Sequence, residues 1–387
     1  MARGCPETRK KPQIPISTIF LSVVVSLMLR HRSALQMDRT ARQPWYLRLL
    51  GSSRDMVASD STLLRELARM STDYVRKQLH QTFRRWKERA GGTHLLPSGR
   101  QIRLGAVDGT QWGNRYASCL QVIANQGEFL LDLELTKTGG NEREGTMKVI
   151  DRCAEEFGKG FVEVIVGDGL YPCGPIYAGF RRNGINAVVK IKAEERDRLL
   201  VTRHAWDSIL HKDPGVEIIQ GIDHERRVLY RIEAVDGVKT DHYDGVLKVA
   251  HVIEEPIPNE ECSDGESSRA PEPEKEFWVV SMDRTLGGLD LREIAHLRWT
   301  IETPGFKMLN DHVHSKRVWT WGKDGEKAFE ALALLMFLAF NLIKAFHASL
   351  AAGEIHRWVG RTVIPLSGVV SILLTTLCAS RVSLVVN

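Results

Sequence analysis

Two aspartates in this chain stand where a fold can put chemistry. Asp108 ends the apolar part of Ala106-Val107-Asp108-Gly109-Thr110, and Asp168 does the same in Val166-Gly167-Asp168-Gly169-Leu170-Tyr171. A β-prone run followed by Asp-Gly delivers a carboxylate to a sheet edge, and Gly109 leaves room for a substrate to approach. Carboxylates on neighbouring strand ends repel each other at neutral pH, so such a pair needs a shared proton or a divalent cation. Mg²⁺ takes carboxylate oxygens and keeps waters, which suits activation of a hydroxyl against a phosphodiester. A third carboxylate, Glu302, follows Arg298 by four residues in His296-Leu297-Arg298-Trp299-Thr300-Ile301-Glu302, a spacing that puts both on one helix face. Taken singly these features are ordinary: Asp-Gly is commonly a turn, and an exposed Arg/Glu pair is worth about 0.3–0.5 kcal/mol.

The elements that must position these residues are legible from periodicity. Residues 102–107, 116–124 and 129–135 are short β-prone runs separated by Gly, Asn and Asp, and read as an antiparallel three-stranded meander. A charged helix at 144–157 precedes 161–166, an apolar run typical of a strand buried on both faces. A helix at 175–183 and a strand at 187–191 follow. Three antiparallel strands, then helix, strand, helix and strand, is the order of an α/β fold with an RNase H-like core. Residues 196–286 are again strand-like, at 216–221, 226–235, 246–253 and 277–282, which predicts a β-rich insertion before helices at 289–299 and 328–346. The expected organisation is a helical basic region (1–100), the first part of the core (101–195), the insertion (196–286), core helices carrying Glu302 (287–350) and an apolar helical segment (351–387).

Charge is unevenly spread along the 387 residues. The chain is +5 overall, yet residues 1–103 hold 20 Lys and Arg against 7 Asp and Glu, a net +13. Residues 254–276 hold nine acids against Arg269 and Lys275, and with their Pro, Ser and Gly content read as a hairpin tip. In the basic region, Ser61 or Asp60 is placed to cap a helix through Leu63, Leu64 and Leu67, and residues 70–90 continue as a basic amphipathic helix. Its Arg84, Arg85 and Lys87 are predicted to contact a DNA backbone, with a merely solvated face as the alternative. The six cysteines contain no CxxC pair, which excludes a zinc ribbon and a disulfide scaffold and fits a reducing compartment. Residues 19–29 mimic a signal peptide but run into Arg30, His31 and Arg32, residues 332–343 contain Asn341 and are too short to span, and 363–380 is diluted by Pro, Ser, Gly and Thr. No membrane association is expected.

Arg298-Trp299-x-Ile301-Glu302, followed by Gly305-Phe306 and Leu309, resembles the C-terminal signature of DDE transposases of bacterial insertion sequences. The resemblance spans residues 59–346 and includes the order Asp108, Asp168, β-rich insertion, Glu302. It implies that these three carboxylates hold two divalent ions, Mg²⁺ or Mn²⁺. It implies strand cleavage at the element's ends, transfer of the 3′-hydroxyl into target DNA by a cut-and-paste route, a homodimer in the DNA complex and a cytoplasmic, nucleoid-associated location. Arg298 is then expected on a DNA phosphate. The chain departs from the full signature at Ala295, where the family has Tyr, and at Leu309, where it has Lys; a one-residue longer spacing puts Asn310 at the Lys position, with Lys307 nearby. Pro304 falls inside the helix that carries Glu302, so a catalytically decayed DNA-binding remnant is the rival reading. Among other residues, Trp278 is a candidate for stacking on an extruded base, with a core tryptophan as the favoured alternative, His312 and His314 read as solvated rather than metal-ligating, and Glu142 and Glu144 read as a helix start.

Overall fold

The computed structural model describes residues 4–50, 57–112, 115–137, 141–240, 243–257, 275–315 and 325–351. The expected apolar segment beyond residue 351 and residues 258–274 of the acidic stretch lie outside them. The chain opens with helices α1 (Ile16–Met28), α2 (Ala34–Ala41), α3 (Pro44–Leu50), α4 (Asp60–Arg69) and α5 (Thr72–Ala90). Residues 16–50 thus form three separate helices within the helical region expected for residues 1–100. Arg30 takes a left-handed φ of 63° after α1, the Ser33 hydroxyl accepts from the Gln36 N–H at 3.2 Å, and Pro44 opens α3 where a missing N–H costs nothing. Ser59, not Ser61 or Asp60, caps α4 through the Thr62 N–H at 3.3 Å.

A short hairpin of β1 (His94–Leu95) and β2 (Gln101–Ile102) leads into the meander β3 (Leu104–Trp112), β4 (Arg115–Ala124) and β5 (Gly127–Lys137). Helix α6 (Glu142–Phe157), strand β6 (Val164–Gly167), helix α7 (Gly174–Arg182) and strand β7 (Asn186–Lys192) follow in the predicted order. β6 lies parallel between β3 and β7. Its Val164, Ile165 and Val166 are fully buried, so alternation vanishes, and each contributes about 1.5–3 kcal/mol by burial. Residues 196–286 contain a helix that strand periodicity hid, α8 (Leu200–Leu210), before β8 (Glu217–Asp223), β9 (Val228–Thr240), β10 (Tyr243–Pro256) and β11 (Lys275–Ser281). These strands extend the same sheet rather than forming a separate one. β11 pairs antiparallel with β7, giving one nine-stranded sheet in the order β5-β4-β3-β6-β7-β11-β10-β9-β8.

The chain then returns to helix: α9 (Gly288–Leu297), a π-helical turn (Ile301–Lys307), α10 (Met308–Val313) and α11 (Gly325–Ala351). α11 is longer than its apolar core suggested. Ala328–Ala345 is long and apolar enough to cross a membrane, but 78% of it is buried within the fold, where α11 packs on α1, α4, α5 and β5. Asn341 explains its polar interruption: its amide accepts from the Leu130 N–H at 3.1 Å and donates to the Leu130 carbonyl at 2.8 Å, docking the helix onto edge strand β5.

A buried charge cluster holds α5 and α6 to the same strand. Asp132 on β5 is fully buried and accepts from Arg76 of α5 at 3.0 Å and Arg152 of α6 at 2.8 Å, with His80 of α5 at 3.4 Å. Burial alone would raise its pKa, but His80, Arg152 and Arg76 outweigh burial and hold the carboxyl below the ordinary range. Both oxygens already face guanidinium groups, so the trio His80, Asp132 and Cys153 is an ion-pair lock and not a metal site. Asp132→Asn should cost about 3 kcal/mol in chemical denaturation near pH 7, because it leaves buried guanidinium charge uncompensated. Since the native-state pKa is depressed, this contribution is present above the unfolded carboxylate pKa and is lost as pH falls below it, so the variant and the native chain should converge in acid.

Candidate functional site

The three carboxylates meet at one end of the sheet. Ala106 pairs with Val166 between parallel β3 and β6, so Asp108 and Asp168 lie two residues further along adjacent strands that point the same way. The Gly109 N–H donates to Asp108 at 2.8 Å and the Leu170 N–H to Asp168 at 2.9 Å, each fixing one carboxylate oxygen. From the other side, Arg298 donates to Glu302 at 2.6 Å and approaches Asp108 at 4.0 Å. Arg298 and Asp108 are largely buried, while Glu302 is 39% exposed.

A fourth carboxylate belongs to this group. Glu142, the first residue of α6, accepts from Tyr116 on β4 at 2.5 Å and from Tyr171, three residues after Asp168, at 2.8 Å. Burial, and then the charge of Glu142, raises both phenols well above their ordinary range, so both keep the protons they donate. The Asn141 cap made an acidic first turn sufficient explanation for Glu142, and no spacing in the sequence links it to Tyr116 or Tyr171. Gly109 has a different role from the one expected: a Cβ there would overlap the Tyr116 hydroxyl, so its missing side chain makes space for the clamp on Glu142.

Four acidic groups around one arginine leave negative charge uncompensated. Asp108 carries the consequence, pushed up to about 7, first by burial and then by Glu142 and Asp168, against the lowering effect of the Gly109 N–H and Arg298. A donor set of several carboxylates with excess negative charge fits a hard divalent cation. Asp108, Asp168 and Glu302 are the residues that could hold one, but as they stand no three of these four carboxylates bring ligand atoms within 4.8 Å of one another, so side chains must close on the ion.

Pro304 does not end the helix. Proline has no N–H for the carbonyl four residues back, and the i→i+5 pattern of the π turn passes that carbonyl to the next residue. The wider turn also inserts one residue, so Asn310 rather than Leu309 returns to the face of Glu302; Leu309 is fully buried and Asn310 half-buried. Gly305 is needed where the helix crosses β4, since a Cβ would come within 2.7 Å of the Gln121 amide oxygen, while the Gln121 amide donates to Thr300 at 3.3 Å.

The remaining predicted residues divide. Lys307 is exposed. Arg85 and Lys87 are exposed on α5, but Arg84 is engaged with Glu156 at 2.5 Å and stacks on Phe157. Trp278 cannot stack on a base: it is fully buried in β11 against His251, with ring centroids 4.4 Å apart, because the strand it occupies is central in the sheet. The exposed aromatic at the site is Trp299, 56% accessible. His312 is buried rather than solvated, facing the Met28 carbonyl at 3.4 Å, and burial pushes it down to about 4. A cleft of about 980 Å³ opens beside the carboxylates, lined by Asp168, Arg298 and Glu302 together with Lys190, Lys192 and Phe277.

No family model and no curated protein matches the chain. Among solved structures it is similar to the piggyBac transposase of a cryo-EM synaptic complex with hairpin DNA, at a TM-score of 0.41 and 10% identity over 98% of this chain and 75% of that one. Similarity of that size fixes neither family nor activity.

The charge at Asp108 is testable without substrate. Its native pKa, about 7, lies above the ordinary 3.8, so protonation favours the fold, and stability is lost as pH rises through 7. Asp108→Asn, which mimics the protonated acid, should raise the thermal midpoint at pH 8, by on the order of 1–3 kcal/mol in stability, and leave it level near pH 4. Mn²⁺ at pH 8 should stabilise the native chain and not the variant.

Proposed function

We propose that the chain is a DDE-type transposase, cutting and transferring DNA strands with divalent-metal assistance on an RNase H-like core. The observation that carries this reading is the convergence of Asp108 and Asp168, from adjacent parallel strand ends, with Glu302 and Arg298 from a single helix. The sheet segment β5-β4-β3-β6-β7, with three antiparallel strands followed by two parallel to the first, supports the core assignment. The basic N-terminal region, net +13 over residues 1–103, supports DNA as partner.

In this reading Asp108, Asp168 and Glu302 would hold two Mg²⁺ or Mn²⁺ ions, which would supply Lewis acidity for in-line displacement at phosphorus. The chain's own residues do the rest. Glu142, held by two phenols, keeps the strand ends and the start of α6 in fixed relation, so the aspartates meet substrate without rearrangement. Arg298 exchanges its contact with Glu302 for a non-bridging phosphate oxygen, which leaves Glu302 free for the ions. Water attack at the element's end releases a 3′-hydroxyl, and that hydroxyl then attacks target DNA in the same site. Two copies acting on paired ends, in the bacterial cytoplasm and at the nucleoid, complete the proposal.

Cleavage of DNA flanking the gene, with Mg²⁺ or Mn²⁺, tests it. Asp108→Asn, Asp168→Asn and Glu302→Gln should each lower strand cleavage by at least ~100-fold while DNA binding stays within a few-fold. Cleavage that requires Pro304→Ala would instead identify a decayed enzyme, and cleavage undiminished in a triad variant would remove that carboxylate from the site.

A further inference from the structure

Lys190 stands on β7 in the middle of the sheet, and Lys192, two residues on, shares its face. Both line the cleft with Arg298 and Glu302. The Lys190 ammonium sits 3.9 Å from the centroid of the Phe277 ring, itself 4% exposed on the neighbouring strand β11. Among the described residues no carboxylate oxygen comes within ion-pair distance of it. The charged groups that act on it most strongly are Arg298, Glu254, Lys275 and Glu302, and the cleft they share is lined as well by Asp168, Glu194, Glu195 and Glu276 and by Lys192 and Arg226. Burial first, and then Arg298, lowers its pKa to about 8, with Glu254 and Glu302 opposing from a distance.

A half-buried ammonium without a carboxylate partner is costly unless an anion arrives to meet it. A Phe ring recovers part of that cost but leaves the ammonium's hydrogen-bond donors unspent. The helix that brings Glu302 offers Asn310, a neutral donor, where the resembled signature carries lysine. We propose that Lys190, backed by Phe277 and flanked by Arg298, is the phosphate-binding cation of this cleft and takes a phosphodiester of the DNA strand that enters the carboxylate site. The inference rests on the reading of the chain as a DNA-cutting enzyme for the identity of the ligand, and on the geometry of the cleft for its phosphate. A cation supplied by the sheet rather than by the helix fixes the strand relative to Asp168 even while Glu302 reorients.

Fluorescence anisotropy of the full chain with a duplex oligonucleotide, without divalent metal and across a salt series, tests the assignment. Lys190→Met keeps the stem over Phe277 and removes the charge; it should weaken binding about tenfold at low salt and make the log–log salt slope shallower by about 0.9, whereas Lys190→Arg should keep both. Lysine-selective NMR of the native chain should show the Lys190 titration midpoint rising from about 8 when the oligonucleotide binds. If the duplex binds and Lys190→Met, with an unchanged melting temperature, keeps the native affinity and slope, the role of Lys190 is overturned and the functional reading survives. If no duplex binds but inorganic phosphate still raises the midpoint, the phosphate site stands and the DNA reading falls. If neither ligand moves it, both fall.

Discussion

Mutual repulsion of carboxylates is the constraint around which this structure is arranged. Asp108, Asp168, Glu142 and Glu302 converge with only Arg298 bonded among them, and burial prevents water from screening the excess. A chain left to itself would splay these groups apart. Here they cannot separate, because two of them end adjacent parallel strands whose flanking residues are fully buried, and a third is held by two phenols. The fold holds these charges where a cation would relieve them, and the Asp108 pKa is raised, chiefly by burial and further by Glu142 and Asp168.

The helix bearing Glu302 is braced in proportion. Glu254 of β10 accepts from Arg292 at 2.6 Å and from His296 at 2.7 Å, and Asp223 of β8 accepts from Arg292 at 2.9 Å. At its start, Asp290 accepts from the Ser98 N–H at 3.0 Å, tying α9 to the hairpin before the meander. Arg292 and Glu254 are almost completely buried, so this bracing resists solvent as a surface ion pair would not. The helix is therefore tied both to the insertion strands and to the hairpin that precedes the meander.

What could be read from sequence was what one segment decides alone. Strand β6 announced itself by an unbroken apolar run, and Asp108 and Asp168 by their place after such runs. The spacing of Arg298 and Glu302 survives in the structure as a direct bond. Hidden features required two segments at once. Trp278 sits in an apolar run that fits both a core residue and a stacking one, and only the pairing of β11 on both sides decides for the core. Glu142 looked like a helix start because its partners are 26 and 29 residues away. Arg76 looked like one cation on a basic face, and only pairing with buried Asp132 turns it inward. The π turn was invisible for a related reason: Pro304 argues against an α-helix, but nothing local says that the chain answers by adding a residue to the turn.

Continuity of the sheet joins these observations. Had residues 196–286 formed a separate unit on a hinge, the cleft would change shape with it. Instead β11 pairs with β7 through Phe277↔Lys192 and Val279↔Lys190, so Lys190 and Lys192, two of the three lysines that line the cleft, and its aromatic floor lie in the ladder that joins core to insertion. Lys190 cannot move relative to Asp168 without disturbing a parallel pairing in which Gly167 stands opposite Val189. Glu302, more exposed than Asp108, is by contrast carried on the widened turn and bonded only to Arg298 among the contacts described. A rigid sheet that fixes the two aspartates and the cations, facing a helix that can release its glutamate from Arg298, is an arrangement in which substrate and metal complete the site by displacing one ion pair.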